Sequence, residues 1–314
     1  MLTRFVSLLS GLILTCFAPG AFGDDFQLTP MSVGDRIHAL IGPTTDRTFE
    51  NHGLNANFGV IGTPEGTILI DSGASRLGAA LLARTAQALT GQPVRWVINS
   101  GAQDHRWFGN AYFIEQGVEV IAHRRSVTTQ QARQAEQWAR LQPVLGERLD
   151  GTRPTAATRI VTDDLERLEL GGRVIELHYF ADAHFPGDIV IWLPHERIAF
   201  AGDHVYTDRL LSIRAFTDAG SWLTALEHLL ALDPLVIVPG HGRVTDAAGA
   251  RADTGDYLAF IAEGVERLAD EMAGVDAALD ELGDAPGFAH LEHYDELHRA
   301  NVTQAYLRAE ASMD

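Results

Sequence analysis

The sequence predicts an α/β protein with sheets inside and helices outside, and three observations lead there. Short β-rich runs, each about the length of a buried strand, alternate with amphipathic stretches from about residue 36 onward. The alternation comes in two successive blocks, the pattern of layered sheets with helices on their outer faces. The last stretch, roughly residues 252–312, reads as helix alone: Leu258, Ile261, Val265 and Leu268 recur at three- and four-residue steps, the stripe of a helix packed on a body.

Taken in order, the first block holds strands at 57–62, 67–71, 94–99 and 118–122 and helices at 77–89 and 128–141. The second helix is expected to stop before Pro143, whose ring and missing N–H oppose a continuing helix. The second block holds strands at 165–170, 174–180, 188–193 and 198–201, a helix at 221–232 and a strand at 235–238. No internal repeat or low-complexity linker divides the blocks, so residues 24–250 read as one domain, with 251–314 a helical extension packed on it.

The first 23 residues look like a secretory signal peptide: Arg4, an apolar core from Phe5 to Ala18, then Ala21-Phe22-Gly23. Cys16, the only cysteine, lies within it, so cleavage leaves no disulfide chemistry and metal ligation falls to His and carboxylates. The expectation is a periplasmic or secreted protein with no stable membrane insertion. Every basic residue is Arg, and 42 acidic groups against 24 basic ones give a formal charge of −18. A field of that sign repels a phosphate backbone, which leaves a small-molecule substrate, or a protein partner in the periplasm, as the expected ligand.

Four segments place acids and imidazoles just after strands, where a rigid element can hold a ligand steady. They are Ser100-Gly101-Ala102-Gln103-Asp104-His105, Asp182-Ala183-His184, Gly202-Asp203-His204 and Pro239-Gly240-His241-Gly242. With Leu69-Ile70-Asp71-Ser72-Gly73 before them, their order resembles the metallo-β-lactamase superfamily over about residues 36–245. That family carries a His-x-His-x-Asp-His motif, a later His, a bridging Asp and a final His. Within it, the runs 55–71, 99–110 and 301–310 look most like periplasmic metallohydrolases of quinoprotein and sulfur-oxidation gene clusters.

The resemblance implies a four-layer αβ/βα sandwich and a metal site of Asp104, His105, His184, Asp203 and His241, with Asp104 and His184 also catalytic. On this reading the first two motif histidines fall on Ser100 and Ala102, which cannot ligate. One zinc ion is then expected, held by Asp104, His105, His241 and Asp203, with an open place for water. Asp71 is expected to orient the ligand loops. The implied activity is hydrolysis of an ester, amide or thioester-like bond by zinc-activated water; the alternative is a degenerate site that binds a ligand or partner. His204, His123 and His178 are read as non-ligands, His290, His293 and His298 as a solvated helix face, and Trp107 and Phe108 as packing beneath the site.

Overall fold

Two sheets lie face to face in the computed structural model, which describes residues 26–312. The expected leader, residues 1–23 with Cys16, lies outside the described residues. One sheet runs in chain order through β1 (Thr29–Gly34), β2 (Ile37–Ile41), β3 (Phe58–Gly62), β4 (Thr67–Ile70), β5 (Val94–Asn99), β6 (Glu119–His123) and β7 (Arg159–Val161). Its pairings are antiparallel up to β4 and parallel from β4 to β7. The other has the order β12-β11-β10-β9-β8, from β8 (Leu165–Leu170), β9 (Arg173–His178), β10 (Val190–Leu193), β11 (Ile198–Tyr206) and β12 (Val236–His241).

The helices are α1 (Arg76–Thr90), α2 (Asp104–Trp107), α3 (Asn110–Ile114), α4 (Arg124–Leu145), α5 (Ala219–Ala231), α6 (Ala247–Ala250), α7 (Asp256–Asp270), α8 (Val275–Leu282) and α9 (Tyr294–Ala311). Ser75 starts α1 by accepting from the Gly78 N–H, and Gly91 ends it in the left-handed region at φ 73°.

Alternation along the strands builds the layers. Ile61, Ile70, Ile98 and Ile121 meet Leu177, Ile191, Phe200 and Val238 between the sheets. Their neighbours Val60, Leu69, Val97 and Val120 face the other way, with Leu82 and Ala86 of α1. On the far side, Val190, Trp192, Ala199 and Ala201 cluster with Leu226 and Leu229 of α5. Each fully buried Ile or Leu contributes about 1.5–3 kcal/mol, so a one-residue register slip, which would swap both faces, is strongly disfavoured. Helices α7 to α9 pack with Trp222 of α5 in a further apolar cluster.

Three features differ from the sequence expectation. Helix α4 continues through Pro143 to Leu145, because Leu141 and Leu145 bury against Trp107 and Phe108 and outweigh the lost backbone bond. Strand β11 does not stop at 201 but carries Asp203 and His204 within it. Strands β1, β2 and β7 were not expected: β1 is a largely exposed edge, and β2 and β7 are only five and three residues long.

Candidate metal centre

The site forms at the ends of β4, β5 and β12 and along β11. Asp71, at φ 67° just past β4, accepts from the Ser100 N–H and Oγ, both at 2.7 Å, and so fixes the loop after β5. Asn99 and Asn110 brace the same loop: Asn99 Nδ2 donates to the Arg106 carbonyl at 2.7 Å and to Asn110 Oδ1 at 3.1 Å. Asn57 ties the loop after β12 by donating to the carbonyls of Pro239 and Gly242.

At the centre His105, Asp203 and His241 converge, their ligand atoms all within 4.8 Å of one another. His105 Nε2 lies 3.6 Å from Asp203 Oδ2, and His241 Nε2 lies 3.5 Å from Asp203 Oδ1. Arg106 closes the cluster from one side: Nη2 sits 2.5 Å from Asp203 Oδ1, and Nη1 sits 2.9 Å from Asp71 Oδ2.

The motif therefore meets the cluster one residue later than the sequence alignment placed it. Helix α2 starts at Asp104 and turns His105 and Arg106 inward, while Asp104 points to Arg47, 2.5 Å away, and is not part of the converging set. Ser100 is spent on Asp71, and Ala102 is fixed through its backbone by Asp188, Trp107 and Gln137. Gln103 stands beside His184: with the amide oriented to satisfy its neighbours, its nitrogen faces Asp203 Oδ2 at 3.1 Å and His184 Nε2 at 3.3 Å, and its oxygen accepts from Arg47 at 2.9 Å. A side chain at Gly101 would run into Asp188. In space the four motif positions are thus Gly101, Gln103, His105 and Arg106.

Of the residues expected in the site, His105, Asp203 and His241 come together, His184 lies across Gln103 from Asp203, and Asp104 lines the adjoining cleft. Arg47, Gln103 and Arg106 were missed; the only signal for Arg106 was its place directly after the motif. Among the other histidines, His204 bonds the Ala201 carbonyl, His123 stacks on Tyr179, and His178 faces Glu176. His298 is not on a solvated face: it is buried, bonded to Tyr257 and the Leu282 carbonyl. Trp107 and Phe108 are buried in an apolar cluster.

Burial holds the imidazoles neutral, the form in which they ligate. It lowers His184 to about 3 and His241 to about 4, and it takes His105 well below its usual value with help from the Arg106 and Arg47 charges. Burial raises Asp71 to about 6 against the pull of Arg106, and raises Asp188 well above the carboxylate range with Asp203 adding to it. Burial pushes Asp203 up, but the Arg106 charge and the His105 and His241 rings together outweigh it and hold Asp203 well below the usual carboxylate value.

This donor set fits one ion. Spacings of 3.5 and 3.6 Å are too long for hydrogen bonds but suit ligands around a tetrahedral zinc, roughly 3.4 Å apart for bonds of about 2.1 Å. His105 Nε2 is buried with no hydrogen-bond partner. Arg106 bonds two buried carboxylates, Asp71 and Asp203, so one guanidinium faces two acids beside the cluster. Among the described residues the converging group is His105, Asp203 and His241, while His184 has the Gln103 amide between it and Asp203.

The fold and this cluster define a metallohydrolase-type protein. The chain belongs to the metallo-β-lactamase superfamily, whose family model matches residues 53–241. It is 26% identical over 273 residues to the 2,4-dinitroanisole O-demethylase subunit alpha of Nocardioides sp. (strain JS1661), covering 86% of this chain and 74% of that protein. It is 25% identical over 214 residues to a metallo-β-lactamase type 2 of Bacillus sp. (strain 170), covering 67% and 74%. A solved metallo-β-lactamase from Pontibacter korlensis superposes with a TM-score of 0.59 at 20% identity, over 74% of this chain and 99% of that one.

Proposed function

We propose that this is an exported metallohydrolase that works with a single zinc ion held by His105, Asp203 and His241. The observation that carries the reading is the pair of imidazole nitrogens at 3.5 and 3.6 Å from the two Asp203 oxygens, buried and neutral. Such an ion, when bound, lowers the pKa of water from about 15.7 to roughly 7. The residues of the chain do the rest. Asp203 and His241 are held in place by Arg106 and by the Asn55 carbonyl. His184, neutral, holds its Nε2 3.3 Å from the Gln103 amide at the edge of the cluster, where it can help to orient a substrate. Asp104 stands at the wall of a cleft of about 350 Å³, placed to accept a proton there once Arg47 releases it.

The bond class is ester, amide or thioester-like, and one relative is named for acting on an aryl methyl ether, 2,4-dinitroanisole. The test is a panel of activated esters, thioesters, amides and aryl ethers given to the mature protein with zinc. The expected result is turnover on at least one class, abolished by a chelator and by His241→Ala. Turnover that survives both would overturn the metal mechanism. The expected leader makes the compartment periplasmic or secreted, which fractionation of cells expressing the full chain tests directly.

A second reading rests on a different observation, the Arg106 guanidinium 2.5 Å from Asp203 Oδ1. Here Arg106 takes the cation's place and the cleft binds a ligand or partner without chemistry. It predicts no metal in protein purified under zinc-replete conditions.

A further inference from the structure

We infer that Arg47 controls uptake of the ion by fixing which nitrogen of His105 carries the proton. The inference rests on the one-ion reading above. A guanidinium can only donate, and a carbonyl oxygen can only accept. His241 Nδ1 lies 2.9 Å from the Asn55 carbonyl, so its proton is on Nδ1 and the Nε2 lone pair faces Asp203, as a ligand requires. His105 has the opposite partner: Arg47 Nη2 lies 2.8 Å from its Nδ1.

The Nδ1 lone pair of His105 is therefore occupied, and the proton of its neutral ring sits on Nε2, directed at Asp203. In that tautomer Nε2 has no lone pair to give a metal. The two rings that must share one ion are set in opposite tautomers by their neighbours. The acceptor that would reverse this is already in place, since Asp104 Oδ1 is 3.7 Å from His105 Nδ1 and is held by the same Arg47. When the guanidinium swings away, Asp104 becomes the nearest acceptor for an Nδ1–H, and His105 Nε2 is freed to bind.

Arg47 is placed to make that movement. Its side chain is 20% exposed, on the wall of the cleft that Gln103 and Asp104 also line. The backbone around it is pinned: Asn51 accepts from the Thr48 N–H and donates to the Asp46 carbonyl. The motion is then one of the side chain, not of the loop.

The test compares zinc affinity, by chelator competition, in the wild type and Arg47→Ala, and reads the tautomers of the metal-free wild type by ¹⁵N–¹H correlation of the imidazoles. The expected result is zinc binding about tenfold or more tighter in Arg47→Ala, the size usual for changes to the partners of metal ligands. The tautomer spectrum is the diagnostic part, because deleting a positive charge beside the site also favours a bound cation. The wild-type spectrum should show His105 protonated on Nε2 and His241 on Nδ1. Equal or weaker binding in Arg47→Ala, or a wild-type His105 protonated on Nδ1, overturns the role of Arg47 while leaving the one-ion site standing. Failure of both proteins to bind zinc overturns the one-ion site, and the role of Arg47 with it.

Discussion

Arg106 and Asp203 form a two-point ion pair inside the site, Nη2 to Oδ1 at 2.5 Å and Nε to Oδ2 at 3.4 Å, with Arg106 also bonded to Asp71. All three side chains are buried. Replacing Arg106 by Met leaves two carboxylates without their cation. Removing one partner of a buried pair costs about 3–5 kcal/mol, so urea unfolding of Arg106→Met should show a loss of that order, partly restored by adding Asp71→Asn. An Arg106→Met protein as stable as the wild type would mean the pair is not structural.

Buried imidazoles set the response to acid. His105, His184, His204 and His241 all have folded pKa values below the usual 6.5. The unfolded chain therefore takes up protons below that pH that the fold refuses, and their contribution, complete above about pH 6.5, is lost as pH falls toward the folded values. Asp71 and Asp188, raised by burial, act in the opposite sense. The lowered histidines, with His123, His178 and His298 among them, outnumber the two raised carboxyls, so the net effect is a loss of stability as pH falls. Metal-free protein should unfold at lower urea at about pH 5.5 than at about pH 7.5; an unchanged or higher midpoint contradicts this.

The spatial reading of the motif is tested by rebuilding it. Gln103→His sets an imidazole beside His184 and Asp203, and should raise bound zinc from about one ion toward two. Ser100→His with Ala102→His should not, because Ser100 is spent on Asp71 and Ala102 is fully buried. Metal analysis that shows the reverse would put the motif's first two positions at Ser100 and Ala102.

Asn57 connects the strand ends that carry the site. Its side chain bonds the carbonyls of Pro239 and Gly242 and the N–H of Gly42, all buried. Asn57→Ala leaves these groups unpaired at about 1–3 kcal/mol each when no water replaces the bond, so a loss of about 3 kcal/mol and weaker zinc binding are expected from calorimetry.

Much of the fold was readable because apolar alternation in the buried strands is strong: β5 and β8 fall where the pattern put them. The cluster His105, Asp203 and His241 was readable from residue type and order. Its exact register was not, because a motif is read by spacing while the structure is decided by where a helix begins. Starting α2 at Asp104 turns that acid out to Arg47 and brings Arg106 in. Arg47 and Gln103 were hidden for another reason: nothing in sequence marks a side chain whose role depends on a partner far along the chain. His298 lay on a helix whose polar composition gave no sign of the contact with Tyr257 that buries it.

The most direct measurement is the zinc content of the mature protein after dialysis against a zinc buffer, beside His105→Ala, Asp203→Asn and His241→Ala. About one ion per chain in the wild type, and much less in each variant, is the result predicted here. A wild type with no zinc, or variants that keep it in full, contradicts the site.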